Sequence, residues 1–73
     1  MMSKHKYIKF TDMINGGVRK VAIFNSSVPV DSVLAHISNL ALHPGTTIEE
    51  NIKIITEEEF IHRYMRSVPR WRI

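Results

Sequence analysis

Asn15-Gly16-Gly17 lies between two runs of strand-forming residues, and this placement constrains the fold more than any other feature of the chain. Asn-Gly is the strongest short signal for a β-hairpin, because both turn residues tolerate positive φ. The flanking Tyr7, Ile8, Phe10, Val18, Val21, Ile23 and Phe24 are aliphatic or aromatic, types that suit a pleated, half-buried surface. Residues 1–24 therefore read as two antiparallel strands. With Asn15-Gly16 as a two-residue loop, Ile8 faces Ile23, Phe10 faces Val21 and Asp12 faces Arg19, which gathers aliphatic residues and a charge pair on one side. The other side then carries Tyr7, Phe24, Lys9, Ala22, Thr11, Lys20, Met13 and Val18. A Gly16-Gly17 loop slips the register and changes these pairs.

Asn25-Ser26-Ser27-Val28-Pro29 ends the second strand, and Asp31 is placed to cap a helix. Val33, Leu34, Ile37, Leu40 and Ala41 recur with helical spacing along one side, and His43-Pro44-Gly45 stops that helix. Thr47-x-x-Glu50 fits one capped turn or a loop. Ile52-Lys53-Ile54-Ile55 reads as a third strand. Thr56-x-x-Glu59 is a capping box for a second helix, whose apolar stripe is Phe60, Ile61, Tyr64 and Met65 and which Pro69 terminates. The expected fold class is α+β: a small ββαβα domain over residues 1–73, its three-stranded sheet built from the N-terminal hairpin plus one strand and packed with two helices. Residues 69–73 form a C-terminal tail. The third strand pairs with the first in the order 2-1-3 or lies parallel beside the second. A hairpin followed by a helix and a strand is also similar to the start of a β-grasp, a likeness of element order alone.

At 73 residues the core is small, contributing roughly 3–5 kcal/mol of net stability. Domains of this size often add disulfides, a metal or a partner subunit. There is no cysteine, which removes disulfides and thiolate zinc sites and fits a reducing, cytoplasmic location. His5, His36, His43 and His62 are dispersed, so no metal or other cofactor is expected. No apolar run approaches the length of a membrane span, and no signal-peptide core follows Lys4 and Lys6. Catalysis has little support: Ser26-Ser27 fall in a turn, His36 lies off the apolar stripe, and Glu57, Glu58 and Glu59 suit a helix start. The glycines fit neither a P-loop nor a dinucleotide pattern, and no small-molecule substrate is evident.

Binding of another macromolecule is the expectation that remains. If both helices pack on one side of the sheet, the other side stays bare and apolar, and such patches mark interfaces. Tyr7, Val18, Ala22 and Phe24 on that bare side, with Arg70, Trp71 and Arg72 in the tail, are the candidate protein-binding residues. They suit a small regulator, inhibitor or adaptor of a larger cytoplasmic protein, or a homodimer contact, and the tail could add a strand to a partner's sheet. Charge layout points to an alternative. Lys4, Lys6, Lys9, Arg19 and Lys20 oppose only Asp12 at one end, and Arg63, Arg66, Arg70 and Arg72 lie unopposed at the other. Between them Lys53 faces six carboxylates, so the net charge is +3. Lys4, Lys6, Lys9, Arg19, Lys20, Arg63 and Arg66, interleaved with aromatic residues, are the candidate nucleic-acid contacts.

Overall fold

The computed structural model describes residues 4–64 and the backbone of 70–72. Strands β1 (His5–Asp12), β2 (Val18–Asn25), β3 (Ile52–Ile55) and β4 (Arg70–Arg72) form one sheet in the order β3-β1-β2-β4. β1 is antiparallel to both β2 and β3, so the α+β class and the 2-1-3 arrangement are borne out. The expected tail adds a fourth strand, parallel to β2, with Trp71 opposite Ala22 in register. The strand pairs within this chain's own sheet. The side chains of Arg70, Trp71 and Arg72, and all of Arg66, lie outside the described residues.

The hairpin register is corrected by one residue. Ile8 faces Ala22, Phe10 faces Lys20 and Asp12 faces Val18, which leaves Met13 to Gly17 as a five-residue loop. The carboxylate of Asp12 is the cause. It accepts hydrogen bonds from the Asn15 backbone N–H at 3.1 Å and from Asn15 Nδ2 at 2.7 Å, so Asn15 is folded onto the strand end instead of forming a two-residue turn. The Gly17 N–H then donates to the Asp12 carbonyl at 2.8 Å. Consecutive left-handed glycines, Gly16 at φ 86° and Gly17 at φ 78°, make the closure possible. Lys20, not Arg19, is the ionic partner of Asp12, at 2.8 Å across the diagonal of the ladder.

Helix α1 (Val30–Ala41) starts behind Pro29 at the N-cap, and Asp31 sits in the first turn, where negative charge suits the helix dipole. The hydroxyl-free Pro29 offers no side-chain cap. Leu42 is extended, and a turn closed by the Thr46 N–H on the His43 carbonyl at 3.1 Å separates α1 from α2 (Ile48–Asn51). The capping box of the last helix is formed: Thr56 Oγ1 accepts from the Glu59 N–H at 3.0 Å. Its first turn, α3 (Glu57–Glu59), continues into a π-helical stretch, Phe60–Tyr64.

The two helices cover opposite sides of the sheet, so the bare apolar face that depended on their sharing one side does not form. α1 buries Val33, Ile37 and Ala41 against Ile8, Phe10, Ala22, Phe24 and Ile52. The helix after β3 buries Phe60 against Tyr7, Val21 and Ile55. The rings of Tyr7 and Phe60 stack at 4.5 Å. Burial pushes the Tyr7 phenol above its ordinary range, and the Glu57 carboxylate raises it further.

Candidate functional site: a charged cleft on the sheet

Side chains of a strand alternate between faces, so Tyr7, Lys9 and Thr11 share one side of β1 with Arg19, Val21 and Ile23 of β2 and Lys53 and Ile55 of β3. The Tyr7 end of this face is apolar and lies under Phe60. The Thr11 end carries Lys9, Arg19 and Lys53. In register Lys9 stands directly opposite Lys53, and Thr11 directly opposite Arg19. Like charges facing each other across a ladder are unfavourable in the isolated fold.

These residues open onto a cleft of about 330 Å³, whose wall is completed by Glu49, Glu50 and Asn51 from α2 and by Tyr64. Lys9 is held in place by Tyr64: its Nζ lies 3.2 Å from the phenolic oxygen and 5.6 Å from the ring centre. Since Lys9 donates to that oxygen, the phenolic hydrogen is left to point elsewhere. Lys20 also reaches the cleft wall, but its charge is matched by Asp12. Among the described residues, Lys9, Arg19, Lys53, Glu49 and Glu50 form no ion pair within 4.0 Å. Charges of both signs therefore line one cavity without forming a close ion pair.

Of the seven side chains expected to bind nucleic acid, Lys9, Arg19 and Lys20 meet at the cleft. Lys4 and Lys6 lie exposed at the far end of the hairpin, and Arg63 is exposed on the last helix. The expected protein-binding group does not assemble into a bare face. Tyr7, Ala22 and Phe24 belong to the core, Ala22 and Phe24 with 0% and 1% exposure, and only Val18 among the four sheet residues is exposed. The physical reason is the pair of helices on opposite sides combined with the register shift, which turns Ala22 and Phe24 toward α1. Lys53, Thr11 and the α2 carboxylates were not singled out from the sequence, whereas Tyr64 was marked as an aromatic neighbour of the C-terminal arginines. A signal for the first was present: a lysine in the middle of Ile52-Lys53-Ile54-Ile55, a strand otherwise entirely isoleucine.

Among the described residues no three His, Asp or Glu side chains gather as a metal ion requires, and no helix is long and apolar enough to cross a membrane. No protein-family model, curated protein or solved structure matches the chain.

Proposed function

We propose that the chain works by stoichiometric, non-enzymatic binding of single-stranded nucleic acid in the cytoplasm, through the cationic end of the sheet. The observation that carries this reading is the facing of Lys9 and Lys53 beside Arg19, with no carboxylate partner for any of them among the described residues. A strand that breaks the rule against facing like charges, with no ion pair among the described residues to offset it, has the mark of a functional position. Phosphates supply the missing counter-charge, and single strands suit a concave site better than a duplex because the bases remain accessible. Fluorescence anisotropy with a single-stranded octamer tests it. Affinity falls as salt rises, with a logarithmic slope of about 0.7 per phosphate contacted, and Lys53→Ala lowers that slope by about one contact. An absence of binding at low salt overturns the reading.

A second reading keeps the regulator, inhibitor or adaptor of a larger protein. It is favoured by Ile54, which is 55% exposed on the edge strand β3. An edge strand with an exposed aliphatic residue can accept another strand by main-chain pairing. A pull-down from the native host with Ile54→Lys checks it: capture that depends on Ile54 and changes little with salt supports a protein partner. Trp71→Ala asks the same of the C-terminal strand. Phe24→Ala is unsuited to this test, because it would empty the core and not an interface.

A further inference from the structure

We infer that the cleft is a nucleotide subsite with two poles: it holds a phosphate at Lys9, Arg19 and Lys53 and reads the donor edge of an unpaired base with Glu49 and Glu50. This rests on the nucleic-acid reading above and extends it from phosphate contact to base selection. A site for phosphate alone would be weakened by carboxylates on its wall. Here two glutamates share a 330 Å³ cavity with Lys9, Arg19 and Lys53, and no ion pair within 4.0 Å joins the two sets. A ligand that is anionic at one end and rich in N–H donors at the other satisfies both sets at once. The volume lies at the lower limit of small-molecule clefts, about 300–1,000 Å³, which suits one nucleotide and not a longer stretch. A carboxylate accepts two parallel N–H bonds, and guanine offers adjacent N1–H and N2–H donors on its pairing edge. Cytosine and adenine offer a single amino group there, and uracil a single ring N–H. The expected order is therefore guanine first and uracil last. Tyr64, whose oxygen already accepts from Lys9, is left to donate its hydrogen to the phosphate.

The experiment compares an octamer alternating guanine and uracil with an octamer of uracil alone, beside GMP, UMP and inorganic phosphate as free ligands. The full chain is used, together with Glu49→Ala/Glu50→Ala and Lys53→Ala. All three substituted residues are exposed, and thermal melting checks that each variant folds. The mixed octamer should bind about tenfold more tightly than the uracil octamer, the scale of one well-made base contact. The double glutamate variant should lose that preference while binding the uracil octamer as well as, or better than, the parent. Lys53→Ala should weaken both octamers alike. Equal affinity for the two octamers overturns the base-reading role of the glutamates and leaves the nucleic-acid reading standing. Binding of GMP over UMP and phosphate, with neither octamer bound, overturns the nucleic-acid reading and keeps the two-pole subsite. No binding of any probe overturns both.

Discussion

The two faces of the sheet are unlike in a way that separates stability from function. On the α1 face Ile8, Phe10, Ala22 and Phe24 are buried and apolar, and the helix stripe Val33, Ile37, Ala41 closes over them. Its one buried charge among the described residues, Asp12, is tied by Lys20 and Asn15. On the other face the buried apolar part is Tyr7, Val21, Ile55 and Phe60, with Ile23 and Tyr64 packed against it. The rest carries cations that no carboxylate among the described residues neutralises within ion-pair distance. One face thus resolves its chemistry internally, and the other leaves chemistry to be resolved by a ligand. A small domain can keep such a face only where the opposite side supplies most of the apolar burial.

That contrast can be broken most directly at Phe24. Phe24→Ala should cost about 3–5 kcal/mol, comparable with the whole net stability of a domain this small, so the variant should be unfolded in circular dichroism at room temperature. Retention of a cooperative melt would mean that the α1 face does not dominate. Phe60→Ala removes the ring stacked on Tyr7 and should cost less, about 3 kcal/mol, because the cluster around it is smaller. Urea unfolding of the two variants gives the ranking, and a larger loss for Phe60 would reverse the roles assigned to the faces.

Asp12 sharpens the comparison through pH. Hydrogen bonds from Lys20 and Asn15 hold its carboxyl at about 2, below the ordinary 3.8. A carboxyl lowered on folding stabilises the protein fully above its unfolded value. That contribution is lost as pH falls through the window from about 4 to 2. With Lys20 partly exposed, screening reduces the effect to about 1 kcal/mol. Asp12→Asn should flatten the acid limb of stability in that window, measured by urea midpoints at successive pH values. An unchanged acid limb would sever the link between this carboxylate and the hairpin. The smallest effect is expected on the opposite face. Lys53→Ala should leave stability unchanged or raise it by about 0.2–1 kcal/mol, because it removes a like charge facing Lys9. A clear loss of stability there would mean that Lys53 serves the fold, and the functional reading of that face would fail.

The hairpin strands, α1, β3 and the start of the last helix were legible because each rests on local chemistry, whereas β4 read as a tail and α2 as a capped turn or a loop. The Asn15-Gly16-Gly17 turn, the α1 stripe, the third strand and the Thr56 cap all follow from neighbours within a few residues. The register was not, since it depends on whether a carboxylate three residues before Asn15 recruits that side chain, a contest between two turns that differ by one position. Nor was the division of the helices between two faces legible, because periodicity identifies an apolar stripe without saying which side of a sheet receives it. Ile61 shows a subtler limit. Regular α-helical spacing places it with Phe60 and Tyr64, but the wider π-helical winding leaves it 49% exposed. The cleft was half legible. Lys9, Arg19 and Lys20 were marked as basic hairpin residues, but the facing of Lys9 with Lys53 arises from pairing between segments far apart in the chain.

β1 is flanked by β2 on one side and β3 on the other, although β3 is contributed by a segment beyond both α1 and α2. Cutting the connection around Pro44 would therefore not yield two tidy halves. The N-terminal piece would retain its hairpin with the main-chain groups of Tyr7 to Phe10 stripped of their β3 partners. A bare strand edge of that kind is a template for pairing with copies of itself. Limited proteolysis at this site should produce clumping instead of a soluble fragment.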